Sequence, residues 1–386
     1  MQETEADLDT VYVCDWLPPD FGAVGQYSLL FARKLAAAGE RVVLVGLASG
    51  GNALSEEQLG AGKLQTVKIA ARPYDKTDFA RRLLWTIRVN TRLTRRAWPY
   101  LKQTRRIVFT GSPPLFLHWI APANLWLRKE LVYRITDFHP ECAMVGRARP
   151  SLLLNMLYRI TLFWRRRVHM FEALGHDQMA RLQEIGIPAE RIRYRPDPSP
   201  VEMGPDTRPL TRPEAASDKC LLLYSGNWGV AHDTDTFVEG YARHHREAGG
   251  QVLLWLNAVG GGASKVEEAL RRRGLPFIRG TPVPAEQLAS LLVTPDAHLI
   301  TLSDAFVGYV LPSKVHGCIE SGRPVIFIGS DRSDVHRLCA EKMRAPYYRV
   351  DVGDAEGLAR VLASLAQPHA QVPPVRGVQV ERVKES

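Results

Sequence analysis

Short runs of continuously apolar residues, each ending in a glycine- or proline-bearing turn and followed by a helical stretch, recur along the chain. No other feature of the sequence constrains the fold as much. Val11 to Cys14 breaks into "DWLPPDFGAVGQ", a helical period follows in "YSLLFARKLAAAGE", and "RVVLVGLA" is the next apolar run. Strands that are apolar on both faces belong to a parallel sheet covered by helices on both sides. The pattern continues through "RIVFTGSPP", "LVYRITDFHPE" and "RVHMFEALG", then stops. Between Asp197 and Asp218 the text turns to Pro, Asp, Thr and Arg without periodicity, which reads as a linker. After it the scheme restarts with "CLLLYSGNWGVAHD", "QVLLWLNAVGGG", "AHLITLSD" and "PVIFIG". Two consecutive α/β halves joined in this way place a cleft between the carboxyl ends of two sheets. The expected division is 1–200 for a first domain, 201–218 for the linker, 219–367 for a second domain and 368–386 for an extended tail.

The length of 386 residues suits two cores rather than one. A net charge of +9 calls for an anionic partner: a phosphorylated substrate, an acidic membrane face or nucleic acid. The five cysteines form no CxxC and no metal spacing, as expected of reduced thiols in a cytosolic protein. The start "MQETEAD" is the opposite of the basic opening of a signal peptide. No apolar run approaches the about 20 residues of a membrane span. Any membrane contact is therefore expected from the cytoplasmic side and from the surface.

Four loops that follow strands carry candidate chemistry. In "DWLPPDFGAVGQY", Gly22 and Gly25 precede a helix, though the spacing lacks the dinucleotide fingerprint, and a plain turn explains them as well. In "YSGNWGVAHD", Gly226, Asn227 and Gly229 give a tight turn that, with His232 after it, suits a phosphate or sugar, and Asp233 is a natural helix cap. In "FVGYVLPSKVHGCIESGRPVIFIGS", Gly308 opens a turn, and Ser313 and Lys314 head a short helix. There an anion would meet a hydroxyl, an ammonium and free N–H groups together. Equally, Ser313 could cap the helix and Lys314 stand in solvent. No GxxxxGK[ST] is present, which disfavours a P-loop nucleotidase. In "RITDFHPE", Asp137, His139 and Glu141 could act as a base or bind hydroxyls. Segments 80–106 and 157–167 mix Arg with Leu, Ile, Trp and Phe at helical spacing. This composition fits helices lying in an anionic interface with Trp85, Trp98 and Trp164 as anchors. No nucleic-acid motif is present, so nucleic acid is not expected as a partner.

Taken in order, "PPDFGAVGQYSLLFARKLAAAGERVVLV", "TGSPPLF", "DFHPE", "YSGNWGVAHD" and "PSKVHGCIESGRPVIFIG" resemble the GT-B glycosyltransferases. The resemblance covers nearly the whole chain and is specifically to the retaining family 4 type, which builds bacterial polysaccharides on lipid carriers. It implies an α/β fold of two Rossmann-like parallel-sheet domains facing each other across a cleft, with the nucleotide-sugar donor on the second. It also implies metal-independent transfer of a sugar, without a cofactor, from a UDP- or GDP-linked donor to a lipid-linked saccharide at the inner face of the plasma membrane. Ser313 and Lys314 would meet the diphosphate, with Gly308 on the donor side and Gly226, Asn227 and His232 near the phosphates or sugar. Gly22 and Gly25 would line the catalytic loop, and Asp137, His139 and Glu141 would lie near the acceptor. Relatives carry two glutamates in the last motif where Tyr309 and Gly317 stand here, leaving Glu320 as a weak substitute for holding the ribose. A sugar-nucleotide 2-epimerase of the same fold and a non-catalytic, membrane-docked GT-B protein stay open as alternatives.

Overall fold

The computed structural model describes residues 8–20, 22–72, 79–147 and 149–366, so the expected tail at 368–386 lies outside the described residues. The first half runs β1 (Leu8–Trp16), α1 (Ala23–Ala37), β2 (Arg41–Ala48), β3 (Ala53–Leu59), β4 (Gly62–Ala70), α2 (Phe79–Gln103), β5 (Thr104–Thr110) and α3 (Leu117–Leu127). It continues with β6 (Glu130–Ile135), the one-turn α4 (Glu141–Met144), α5 (Leu152–Arg165), β7 (Met170–Ala173), α6 (His176–Glu184) and β8 (Ile192–Tyr194). Its sheet has the order β3-β4-β2-β1-β5-β6-β7-β8. Along β1, Val11 and Val13 point into one core with Val89, Leu93, Ala97 and Leu101 of α2, while Tyr12 and Cys14 point into another with Tyr27 and Phe31 of α1. This double burial is why the strand reads as continuously apolar.

One edge departs from the parallel expectation. β3 pairs antiparallel with β4 across a two-residue turn in which Gly60 takes φ 61°. Its "ALSEEQL" is mostly exposed, as suits an edge strand carrying charge.

The second half runs β9 (Cys220–Asn227), α7 (Asp235–Glu247), β10 (Val252–Val259), α8 (Gly261–Arg272), β11 (Phe277–Arg279), α9 (Leu288–Val293) and β12 (Ala297–Thr301). It closes with α10 (Lys314–Glu320), β13 (Val325–Ile328), α11 (Asp334–Lys342), β14 (Tyr347–Val350) and α12 (Ala355–Leu365). Its sheet, ordered β11-β10-β9-β12-β13-β14, is parallel throughout. Between β8 and β9 the chain forms no strand, but it is tied at both ends. Asp197 is held by Arg134 at 2.6 Å, and Arg212 by Asp296 at 2.6 Å.

The two halves meet along a seam beside their carboxyl edges. Asp137 and Val310 form an isolated bridge, Phe138 N donates to Tyr309 O at 3.1 Å, and the Phe138 and Tyr309 rings lie 5.9 Å apart. Farther along, Asp177 N donates to Asp334 Oδ2 at 2.6 Å and Asp334 N to Asp177 Oδ2 at 3.2 Å. Two helix starts thus exchange caps across the seam.

The expectation for α2 and α5 as surface helices needs correction. Trp85 stacks on Trp16 at 6.3 Å and donates from Nε1 to Arg72 O, while Trp98 and Trp164 pack on the first core. The proposed aromatic anchors therefore point inward. What faces out instead is Leu83, Leu84 and Ile87 on α2, Leu152, Leu153, Met156, Ile160 and Phe163 on α5, and Trp126 at the end of α3. Among the described residues no helix is long and apolar enough to cross a membrane.

Candidate functional site

At the carboxyl edge of the second sheet, the end of β9 and the start of α10 converge. Gly226 has φ 108°, a conformation that glycine adopts without strain, and a Cβ there would lie 3.8 Å from Lys314 Cε. The Lys314 Nζ rests 3.4 Å from the centroid of the Tyr224 ring. Lys314 as a residue is half-buried, but its Nζ is enclosed and makes no hydrogen bond. Burial pushes its pKa down to about 7. An ammonium in this position costs free energy that only a counter-charge or hydrogen-bond acceptors can offset.

His232 completes the group. Its ring stands edge-on to Tyr224 at 6.2 Å, and Nδ1 donates to Thr301 O at the end of β12. Burial, followed by the Lys314 charge, lowers its pKa to about 3. The imidazole is therefore neutral, with Nε2 left as an acceptor. It is suited to a sugar hydroxyl and not to donating to a phosphate. Asn227 is exposed and turned towards Gly229 and Gly260, where added Cβ atoms would meet its side chain. Ser313 precedes α10, and its side chain makes no cap bond.

Two donor-side candidates, Gly308 and Glu320, fall elsewhere. Gly308 has φ 79° and faces α6 across the seam, where a Cβ would meet Asp177 O at 3.0 Å. Glu320 is exposed at the far end of α10, about 9 Å along its axis from Lys314. At Gly317 a Cβ would meet Leu292 Cδ1 at 2.9 Å and lie 3.7 Å from Pro200, so a larger residue there would have to displace the Leu292 side chain. Tyr309, the other place where the family resemblance leads us to expect an acid, lies in the seam under the Arg181 guanidinium at 4.3 Å. Both positions serve packing here.

The first-sheet candidates divide likewise. Glu141 is buried in an ion pair with Arg165, whose Nη2 also donates to His139 O at 3.1 Å. Its carboxylate is committed to that cation, which removes it from the pool of acceptor-side bases. Asp137 and His139 stand beyond the end of β6, and Asp137 reaches the second half through its bridge to Val310. Burial raises the Asp137 carboxyl above its ordinary value, and His139 opposes the rise. Beside it is a residue that the sequence reading missed. Asp15, near the end of β1, accepts from Ser112 Oγ at 2.6 Å, and burial lifts its carboxyl to about 6, with Asp137 adding a smaller push. Gly25 is fixed by contact, since a Cβ would fall 1.7 Å from Trp16 O. A Cβ on Gly22 would lie 3.7 Å from Trp16 Cβ and from Trp16 O. The start of α1 does approach α10. The Tyr27 hydroxyl is raised chiefly by burial and then by Asp197, with Arg134 and Cys318 also acting on it. Among the described residues no group of three or more His, Cys, Asp or Glu is placed to hold a metal ion.

No protein-family model matches the chain, and no curated protein matches it in sequence. Solved structures do match in shape. Anabaena Alr3699/HepE, in complex with UDP and glucose, superposes with a TM-score of 0.61 at 11% identity, over 92% of this chain and 89% of that one. WaaG, a glycosyltransferase involved in lipopolysaccharide biosynthesis, gives 0.59 at 16% identity over 92% and 90%. An α,α-trehalose-phosphate synthase (UDP-forming) from Burkholderia vietnamiensis gives 0.61 at 12% identity over 94% and 92%. At these identities the likeness speaks for architecture alone: the chain has the two-domain fold of the GT-B glycosyltransferases.

Proposed function

We propose that this protein is a glycosyltransferase that moves a sugar from a UDP- or GDP-linked donor, with retention, onto a lipid-linked saccharide in polysaccharide synthesis. The observation that carries the proposal is Lys314, an enclosed ammonium without a hydrogen-bond partner at the carboxyl edge of the second sheet. A nucleoside diphosphate supplies the charge that this site lacks. In same-face displacement, the bond between the anomeric carbon and the diphosphate oxygen breaks as the acceptor oxygen bonds to that carbon. The acceptor proton passes to the departing diphosphate, and Lys314 stabilises the charge developing there. His232, neutral and accepting at Nε2, orients a sugar hydroxyl. No metal is assigned to the reaction, and transfer that persists in EDTA is the expected result.

The acceptor side rests on the first domain. Exposed apolar residues on α2 and α5 are interspersed with Arg88, Arg95, Arg96, Arg159 and Arg166, which suits a peripheral position on the anionic inner leaflet. Calorimetry with UDP and GDP on wild type and Lys314→Met tests the donor site. Equal affinity in both proteins would remove Lys314 from it. Asp15 favours a second reading, in which a carboxyl held at about 6 takes the acceptor proton and the product inverts. The anomeric configuration of the first product, read by NMR, separates the two.

A further inference from the structure

A cavity of about 330 Å³ opens on the amino edge of the first sheet, away from the cleft, between the ends of α3 and α5. Asn124, Arg128, Arg167 and His169 supply its polar lining, and Leu125 its outer apolar wall. The His169 Nδ1 accepts from Leu131 N at 3.0 Å, so the neutral ring carries its proton on Nε2 and presents a donor. Arg167 lies over Phe163, with its guanidinium carbon 3.5 Å from the ring centroid, and spends Nη1 on Phe163 O. Its remaining N–H groups are available. Arg128 closes α3 in the left-handed region, φ 53° and ψ 42°, where glycine is the usual residue.

The charge around this cavity is not neutralised locally. Lys129 and Arg166 add to Arg128 and Arg167, and among the described residues none of the four is paired with an acid. The carbonyls just past α5 are covered by Arg191, which donates to Arg166 O, Val168 O and His169 O, so among the described residues only Arg167 of these four cations spends a donor there, on Phe163 O. Beside the cavity, Trp126 is 86% exposed, and the exposed stripe of α5 begins with Leu152 at 88% and ends in Phe163. Exposed fork-shaped donors at the end of an apolar stripe match a phosphate carried on an acyl chain.

We propose that the cavity bounded by Arg128, Arg167 and His169 seats the phosphate of an anionic membrane lipid, resting on the membrane docking proposed for the same face. The lipid then fixes the rotation of the first domain on the bilayer, with α5 lying along the surface.

The test is co-sedimentation of the full chain with phosphatidylcholine vesicles, and with vesicles in which about a fifth of the lipid is phosphatidylglycerol. Wild type is expected to favour the anionic vesicles. The Arg128→Gln/Arg167→Gln pair is expected to lose more of that partitioning than the about thirty-fold that two diffuse surface cations supply, and Arg95→Gln/Arg96→Gln, of equal charge change, no more than that. Arg128→Gly separates binding from folding, because it relaxes the left-handed backbone yet should still weaken binding. Equal losses for both glutamine pairs would mean a diffuse field and overturn the seat. Unchanged binding of the Arg128/Arg167 pair would overturn the seat while leaving membrane docking intact. If wild type binds neither vesicle, the docking itself falls and the lipid seat with it. Inorganic phosphate that binds wild type but not the pair, with no vesicle binding, would reassign the cavity to a free phosphate.

Discussion

The carboxyl edges of the two sheets treat buried charge in opposite ways. At the first, Arg134 is held between Glu172 and Asp197, and Arg165 is held by Glu141. At the second, Lys314 is enclosed on the Tyr224 ring with no acid and no acceptor on its nitrogen. Satisfied ion pairs hold a fold together but offer a ligand nothing. An unsatisfied ammonium weakens the empty protein and gains most when an anion arrives. The contrast therefore assigns structure to the first set and ligand binding to the second.

The largest expected effect tests that assignment directly. Lys314→Met should cut sugar transfer about 10²–10³-fold, as loss of one preorganised donor to a developing charge does, while raising the melting temperature of the empty protein. A variant that lost both activity and stability would make Lys314 structural and end the contrast. Arg165→Met should do the reverse. It leaves Glu141 buried without its partner, at a cost of about 3–5 kcal/mol in urea unfolding, with nucleoside diphosphate affinity unchanged in the protein that stays folded.

The pH dependence sharpens the comparison. Lys314 titrates near 7 in the folded protein and near 10.4 unfolded, so between those values the unfolded chain holds the extra proton. Stability contributed by this site is lowest below about pH 7 and rises with pH across that window. Donor binding restores the charge, so above neutrality it should take up a proton. Calorimetry in buffers of different ionisation enthalpy reads that uptake. Binding enthalpies independent of buffer at pH 8 would mean that Lys314 keeps its proton when empty.

How much of this could be read in the sequence depends on the range of the interaction. Alternation of apolar runs with helical periods is local, and it placed both sheets, the cleft and the turn at Gly226. Lys314 was visible as a lysine at a helix start, but its burial was not, because the Tyr224 ring beneath it looks like any core aromatic in "CLLLYSG". Glu141 read as a free carboxylate because its partner Arg165 lies a helix away, within what looked like a solvated Arg stripe. The tryptophans of α2 and α5 were mistaken for anchors for the same reason. Periodicity reports that a helix has two faces and leaves open which face meets the sheet. Asp15 carried a weak signal as an acid ending a buried strand. The β3–β4 hairpin carried a local signal in its Gly60 turn, but the segment 53–70 was given no strand assignment from the sequence.

The seam supplies a third arrangement of charge and the smallest expected effect. Asp177 and Asp334 are like charges, each accepting the other's backbone N–H. Burial first, then Asp334, raises the Asp177 carboxyl to about 7. Its unfolded value is about 3.9, so between the two the folded protein holds the extra proton, and this site loses stability as pH rises through that window. The trend is opposite in sign to that of Lys314, and the two windows abut near pH 7. Asp177→Asn keeps an acceptor for Asp334 N and offers Asp334 a permanent donor. It should be close to neutral at pH 5 and stabilise by about 1 kcal/mol at pH 8, where the wild-type pair carries its full repulsion. Urea unfolding at the two pH values gives the difference. An equal effect at both would mean that Asp177 is already ionised at pH 5. The seam would then be an ordinary pair of helix caps, leaving the titration of Lys314 to couple stability to ligand.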